Sequence, residues 1–188
     1  MTLLKICGIR EPEHALVAGE SGANFLGFVF VLGVRRQLSH LEGKRIIDTY
    51  RKNRISSKPK IVGLFANQPV ETVNYVAKLC GLDMVQLCGD ETIDYLNRIN
   101  TPIIRQIKVG TIGDTNKIIS DVAATVDIVV ENGHSVSLDS HQEGTPGGTG
   151  RTFDWSIAKE IAKHHNFLLA GGLNPDNIDG ALDKVDPW

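Results

Sequence analysis

A cysteine, an arginine and an aspartate stand where short apolar runs of this sequence end. Cys7 follows an apolar run at the amino terminus, Arg36 comes shortly after a second run, and Asp139 closes a later one. A thiolate can act as a base, a carboxylic acid can donate a proton, and a guanidinium group pairs with both oxygens of a carboxylate. The three residue types therefore suit acid–base chemistry on an anionic substrate.

Three further residues occupy similar positions. Gln86 lies inside the apolar run Met84–Leu87, and Gly171 and Gly172 follow the run Phe167–Ala170. Glycine lets backbone N–H groups approach an anion closely, and a helix starting near Pro175 would add a favourable dipole. The pattern predicts a phosphate-binding turn, although a glycine pair alone is equally typical of a plain strand-to-helix turn.

Each candidate also has a purely structural interpretation. A free cysteine such as Cys7 is commonly a small core residue, and an aspartate such as Asp139 commonly stabilises a turn. Arg36 has a charged neighbour in Arg35 and fits a solvated loop. Asp127 replaces Asp139 as the strand-end carboxylate if the sixth strand runs Asp127–Val130. The residue types alone leave these alternatives open.

Composition excludes several classes of protein. The 188 residues are 41% hydrophobic and 22% charged with a net charge of −2, which predicts one domain over residues 1–188 and no nucleic-acid partner. No apolar run reaches membrane-spanning length, and the amino terminus does not resemble a signal peptide. The three cysteines show no CxxC spacing, so we expect neither a disulfide framework nor a structural zinc, and a cytoplasmic location.

Short apolar runs alternate with longer amphipathic segments along the whole chain. This order predicts parallel strands joined by helices, in an open doubly wound sheet or a closed (β/α)8 barrel. In both folds functional residues collect at the carboxyl ends of the strands. The seven predicted strands are Leu3–Cys7, Phe25–Phe30, Lys60–Phe65, Met84–Leu87, Ile103–Lys108, one within Asp127–Asp139 that ends at Val136–Asp139, and Phe167–Ala170.

Several motifs together resemble the phosphoribosylanthranilate isomerase family, in its order and spacing from end to end. They are Lys5-Ile-Cys-Gly-Ile9, Leu26-Gly-Phe-Val-Phe30, Arg36 with Ser39, Val85-Gln-Leu87, Leu138-Asp-Ser140, Gly147-Gly-Thr-Gly150 with Phe153-Asp-Trp155, and Leu169-Ala-Gly-Gly-Leu-Asn-Pro175. The resemblance implies a (β/α)8 TIM barrel and an aldose–ketose isomerase of tryptophan biosynthesis. Its reaction would be the Amadori rearrangement of N-(5-phosphoribosyl)anthranilate, without a metal or an organic cofactor.

The resemblance also implies roles for single residues. Cys7 would be the base, Asp139 the acid, and Arg36 the partner of the anthranilate carboxylate. Gly171 and Gly172 would hold the phosphate, and Gln86 would contact the substrate. The only partners implied are the phosphosugar substrate and, if the protein is a homodimer rather than a monomer, a second copy.

Two features depart from the family pattern. Cys88 stands where the family commonly has histidine, and the sequence reaches Trp188 without the segment that forms strand eight. We therefore expect a barrel truncated before strand eight, with unpaired strand edges. A fragment, a chain completed by a partner and a decayed enzyme remain alternatives, as do a non-catalytic phosphosugar-binding or assembly module and another phosphate-handling barrel enzyme.

Overall fold

The computed structural model describes residues 2–53, 58–141 and 152–188. Seven strands alternate with seven helices in this part of the chain, which confirms the predicted order; the motif Gly147–Gly150 lies outside it. The elements are β1 (Lys5–Cys7), α1 (Pro12–Glu20), β2 (Phe25–Val29), α2 (His40–Lys52), β3 (Lys60–Phe65), α3 (Val70–Cys80), β4 (Met84–Leu87), α4 (Ile93–Leu96), β5 (Ile103–Gly110), α5 (Thr115–Glu131), β6 (Ser135–His141), α6 (Trp155–Ala162), β7 (Leu168–Leu169) and α7 (Ile178–Val185).

The seven strands belong to one sheet whose strand order is the chain order, from β1 to β7. The pairs β1–β2, β2–β3, β3–β4 and β6–β7 are parallel. Each strand of a parallel pair needs a crossover connection, and the intervening helices provide it. The predicted α/β class is therefore confirmed, and the described residues contain the seven predicted strands.

Residue contacts divide the chain into two compact units. The first unit is Leu3–Ile104, and the second is Arg105–Trp188 together with Thr2. The first unit contains β1 to β4 with their helices, and the second contains β6 and β7 with α5 to α7. The prediction of a single domain over residues 1–188 stays a prediction.

The strands of the first unit bury one face against the helices. Leu26, Phe28 and Phe30 alternate along and just beyond β2, and all three belong to one apolar cluster with residues of α2 such as Ile46 and Ile47. Successive side chains of a strand point to opposite faces, so Phe25, Gly27 and Val29 belong to the other face. This division leaves the face that carries Gly27 available for functional groups.

The loop between β2 and α2 carries Arg36, and a capping box begins the helix that follows it. The Ser39 hydroxyl accepts a hydrogen bond from the Glu42 N–H at 3.2 Å, and a Glu42 carboxylate oxygen accepts one from the Ser39 N–H at 2.8 Å. These two bonds satisfy amide groups that a helix start leaves without partners. A serine at the start of a helical segment predicts an N-cap, and this prediction is confirmed for Ser39.

The region before β6 differs from the prediction, which placed a helix near Thr115–Val122 and a strand within Asp127–Asp139. Helix α5 continues to Glu131, and Val122, Val126 and Val129 form its buried stripe at helical spacing. Asp127 lies on this helix, where it pairs with His165 at 2.8 Å between Oδ1 and Nε2. The alternative that made Asp127 a strand-end carboxylate is therefore wrong, and β-branched residues misled the prediction.

The elements after β4 and β7 also differ in extent. Helix α4 is a single turn, Ile93–Leu96, although the pattern predicted about ten residues. The residue types Asn174 and Pro175 predict an N-cap and a first helical turn, but helix α7 begins at Ile178 after Asn177, so this prediction is wrong. Among the described residues, none of the helices has both the length and the apolar character needed to cross a membrane.

Replacing Ser39 with alanine should destabilise the protein, because the hydroxyl acceptor at the start of α2 is lost. We expect a loss of about 1 kcal/mol in the free energy of unfolding, measured by urea denaturation. Ser39→Thr keeps the hydroxyl and serves as the control, with most of the stability retained. Equal stability of Ser39→Ala and the parent protein would show that the cap contributes nothing.

Candidate active site

Cys7 ends β1 beside a residue that has no side chain. It pairs in parallel register with Gly27 of β2. A Cβ atom placed on Gly27 would lie 2.7 Å from the Cys7 Sγ and 3.1 Å from the Lys5 Nζ. The thiol and the ammonium group therefore share the space that a side chain at position 27 would fill.

Strand register places Gln86 on the face that carries Cys7. Gly27 pairs with Val62 of β3, and Val62 pairs with Met84 of β4. Residues in register share a face of the sheet, and so do residues two positions apart in one strand. Gln86, two residues after Met84, is thus on the Cys7 face, and only 6% of its surface is exposed.

Cys88 follows β4 and is a protonated thiol at neutral pH. Its Sγ lies 3.6 Å from the Gln86 Nε2, which donates to it. Burial raises the pKa of Cys88 to about 12; the Lys5 ammonium acts in the opposite direction, and a negative charge on Cys7 would add to the rise. An imidazole at this position would titrate near neutral pH, whereas this thiol stays uncharged.

Arg36 lies against the carboxyl end of β1. Its Nη1 donates a hydrogen bond of 2.7 Å to the carbonyl oxygen of Cys7. The guanidinium packs on Gly8, where an added Cβ would overlap it, and the φ of +86° at Gly8 is in the region that favours glycine. Since Arg36 is exposed and has five N–H donors, donors remain for a carboxylate from solvent.

The turns that follow β3 and β4 are bonded to each other. A carboxylate oxygen of Glu91 accepts hydrogen bonds from the N–H of Asn67 at 2.8 Å and of Gly89 at 3.3 Å. The Asn67 side-chain oxygen accepts one from the Asp90 N–H at 2.8 Å, with Asn67 at a φ of +56°. We call this set of contacts the Asn67–Glu91 clasp; it holds the segment that carries Cys88.

Asp139 belongs to β6 in the second unit, one residue before Ser140. Leu138 on one side of it is fully buried, and Asp139 itself is half-buried on the opposite face with Ser137. A Cβ atom on Gly171 would lie 2.6 Å from the Ser140 backbone nitrogen. The β6 segment with the carboxylate and the glycine turn after β7 are therefore in close contact.

Side-chain amides shape the glycine turn. Gly171 and Gly172 have φ values of +91° and +66°, which few other residues adopt. The Asn177 Nδ2 donates to the Gly172 carbonyl at 3.0 Å, and the Asn177 Oδ1 accepts from the Asn174 N–H at 2.9 Å. These two hydrogen bonds fix the shape of the turn between β7 and the first residue of α7.

The structure brings the predicted residues together in two groups. In the first unit Cys7, Arg36 and Gln86 collect around the carboxyl ends of the strands, and in the second unit Asp139 lies near Gly171 and Gly172. Lys5 and Gly27 were not singled out by the sequence, although both belong to the quoted motifs. In residues 2–53, 58–141 and 152–188, no three His, Cys, Asp or Glu side chains form a group that could hold a metal ion.

Comparisons with known proteins agree on one family. The model of the family described as N-(5'phosphoribosyl)anthranilate (PRA) isomerase matches residues 4–187. The N-(5'-phosphoribosyl)anthranilate isomerase of Dehalococcoides mccartyi is 36% identical over 188 residues, which are 100% of this chain and 84% of that protein.

Two solved structures have the same fold as this chain. One is the structure of monomers generated from the dimeric phosphoribosylanthranilate isomerase of Thermotoga maritima. It superposes with a TM-score of 0.78 at 29% identity, over 100% of this chain and 84% of that one. A phosphoribosyl anthranilate isomerase in complex with reduced 1-(o-carboxyphenylamino)-1-deoxyribulose 5-phosphate gives a TM-score of 0.78 at 28% identity with the same coverage. These matches confirm the predicted barrel class.

Alkylation with iodoacetamide at pH 8 should distinguish the three thiols. With a pKa of about 12 for Cys88 and about 11 for Cys80, both raised by burial, only about one Cys88 in ten thousand is a thiolate at that pH. We expect Cys7 to be labelled first, and peptide mass spectrometry measures the extent of labelling at each cysteine. Because Cys7 and Cys88 are both half-buried, equal labelling of the two would contradict the raised pKa of Cys88.

Proposed function

Because this chain belongs to the N-(5'phosphoribosyl)anthranilate (PRA) isomerase family, we propose that Cys7 is its catalytic base and Asp139 its catalytic acid. The activity is the isomerisation of N-(5'-phosphoribosyl)anthranilate to 1-(2-carboxyphenylamino)-1-deoxyribulose 5-phosphate in tryptophan biosynthesis. The observation that carries the assignment of the base is the position of the Cys7 thiol. It lies with Lys5 and Gln86 on the face of the sheet that carries Gly27, which we call the functional face.

Asp139 acts in the first step. Opening of the furanose ring breaks the bond between C1′ and the ring oxygen, and the carboxyl group protonates that oxygen as the bond breaks. The nitrogen lone pair forms the double bond to C1′, so the product is an iminium ion. A carboxyl group donates at neutral pH where burial or negative charge favours its protonated form.

Cys7 acts in the second step. The iminium ion makes the hydrogen on C2′ acidic, and the thiolate removes it to leave a neutral enolamine. The enolamine then gains a proton at C1′ and loses the proton of its 2′-hydroxyl, which gives the ketone. One proton must finally pass from the Cys7 thiol to the Asp139 carboxylate, and this restores both groups without any net uptake.

The remaining residues bind the two anionic ends of the substrate. Arg36, held by the Cys7 carbonyl, pairs with the anthranilate carboxylate. Gly171 and Gly172 present backbone N–H groups to the phosphate, in a turn whose shape Asn174 and Asn177 support. Gln86 supplies a polar contact to the sugar from the functional face.

We infer that the enzyme works in the cytoplasm, as a monomer or a homodimer. Cys7, Cys80 and Cys88 are free thiols, which suits a reducing compartment. Support for a dimer comes from the Thermotoga maritima relative, which is described as dimeric.

Substitution of either proton-transfer residue should nearly abolish turnover. We expect Cys7→Ala and Asp139→Ala each to lower kcat/KM at least about a hundredfold, because each removes one of two essential proton transfers. The assay follows the fall in fluorescence of the anthranilate substrate.

Matched controls are Cys80→Ala, at a buried thiol of α3, and Asp127→Asn, at the ion pair on α5. Both should keep most of the activity. Full activity in Cys7→Ala or Asp139→Ala would refute the role of that residue. A parent protein that binds the substrate without turnover would instead favour the non-catalytic alternative.

Gly171→Ala should weaken substrate binding. Alanine is strained at a φ of +91°, and its Cβ would lie 2.6 Å from the Ser140 backbone nitrogen, so the turn must shift. We expect KM to rise about tenfold, with a loss of about 1–3 kcal/mol in unfolding free energy.

Gly180→Ala is the control, because nothing lies within 4 Å of its added Cβ in α7. Its KM should be unchanged, and the helix should gain about 0.5–1 kcal/mol. An unchanged KM in Gly171→Ala would remove this turn from the phosphate site.

A further inference from the structure

Lys5 reaches the position beside Gly27 that the Cys7 thiol also reaches. The site of the missing Cβ is 3.1 Å from the Lys5 Nζ and 2.7 Å from the Cys7 Sγ. The two atoms are therefore within about 6 Å of each other, the range in which a charge favours the ionised form of an opposite partner. Lys5 and Cys7 are two residues apart in β1, so their side chains share a face.

We propose that Lys5 is a positioning residue whose ammonium group favours the thiolate form of Cys7. The inference deepens the proposed function and rests on it, since the thiolate is the form that removes the C2′ proton. Lys5 supplies positive charge without needing to contact the substrate.

The other groups around Cys7 in the first unit leave this role to Lys5. Arg36 also carries a positive charge, and its Nη1 contacts the Cys7 carbonyl, but the proposed function pairs that charge with the anthranilate carboxylate; Cys88 is an uncharged thiol at neutral pH. At the level of Cys7, β2 and β3 present Gly27 and Val62, which carry no charge, and Lys60 lies two residues before Val62 on the same face, at the exposed start of β3. The Lys5 ammonium also acts on Cys88. Of the charges near that thiol, it has the largest effect in lowering the pKa, against the rise that burial causes.

Gly27 makes this arrangement possible. Any larger residue would place its Cβ closer to the thiol sulfur than van der Waals contact allows. The sulfur or the lysine would have to move, and the charge would be separated from the thiol. The pair Lys5 and Cys7 thus depends on an empty position in the neighbouring strand.

The test measures the rate of Cys7 alkylation by iodoacetamide from pH 6 to pH 10, by peptide mass spectrometry. In Lys5→Met we expect the rate near neutral pH to fall about tenfold and the midpoint of the curve to move to higher pH, since one pKa unit changes the thiolate fraction tenfold. Lys5→Arg keeps the charge and should stay near the parent curve. If Lys5→Met does not fold, Lys5→Gln replaces it.

Lys60→Met is the matched control. Lys60 pairs with Phe25, which pairs with Lys5, so both lysines lie on one face, but Lys60 is exposed at the start of β3. Its removal should leave the alkylation curve unchanged. An unchanged curve in the variant that neutralises Lys5, or an equal shift in Lys60→Met, overturns the inference.

Turnover supplies an independent readout. The variant without the Lys5 charge should lose kcat more than it raises KM, and its activity should recover as pH increases. If the alkylation curve shifts while Cys7→Ala remains active, the effect of Lys5 on the thiol stands and the proposed function fails. The two ideas are therefore separately refutable.

Discussion

The alternation of side chains along paired parallel strands is the constraint on which this structure depends. It sends Leu26 and Phe28 into the helix-covered core and leaves Gly27 on the opposite face, in register with Cys7. Because the register continues through β3 to β4, residues from distant parts of the chain share that face without any special contact between them. A slip of one residue would bury the thiol in the core and expose the apolar cluster.

Much of this arrangement was predictable from local sequence. The apolar runs located all seven strands, and Ser39 marked the start of α2 as a candidate N-cap. The positions of Cys7 and Arg36 at or after strand ends made them candidates, and the resemblance of the surrounding motifs to the family gave them roles. These features depend on residues close together in the chain, so a single sequence carries the signal.

Features that depend on distant residues were not predictable in the same way. The role of Lys5 requires knowing that Gly27 is its neighbour, and the Asn67–Glu91 clasp joins residues 24 positions apart. Helix α5 was predicted too short because Ile128 and Val130 have β-branched side chains, although the buried valines of this helix recur with helical period. The side chains of Asn174 and Asn177 are bonded within the turn before α7, and the helix begins only at Ile178. Helix propensity alone does not predict this later start.

The unoccupied position at Gly27 sets a conflict for anyone who engineers this protein. Glycine inside a strand lowers stability, and exchange for alanine is a standard route to greater thermal resistance. Here the same exchange would press a methyl group against the sulfur atom of Cys7, the residue that we propose as the catalytic base. A screen that ranks variants by melting temperature alone would favour such replacements at glycines where an added Cβ has space. At Gly27 a requirement for thermal stability and a requirement for catalysis oppose each other.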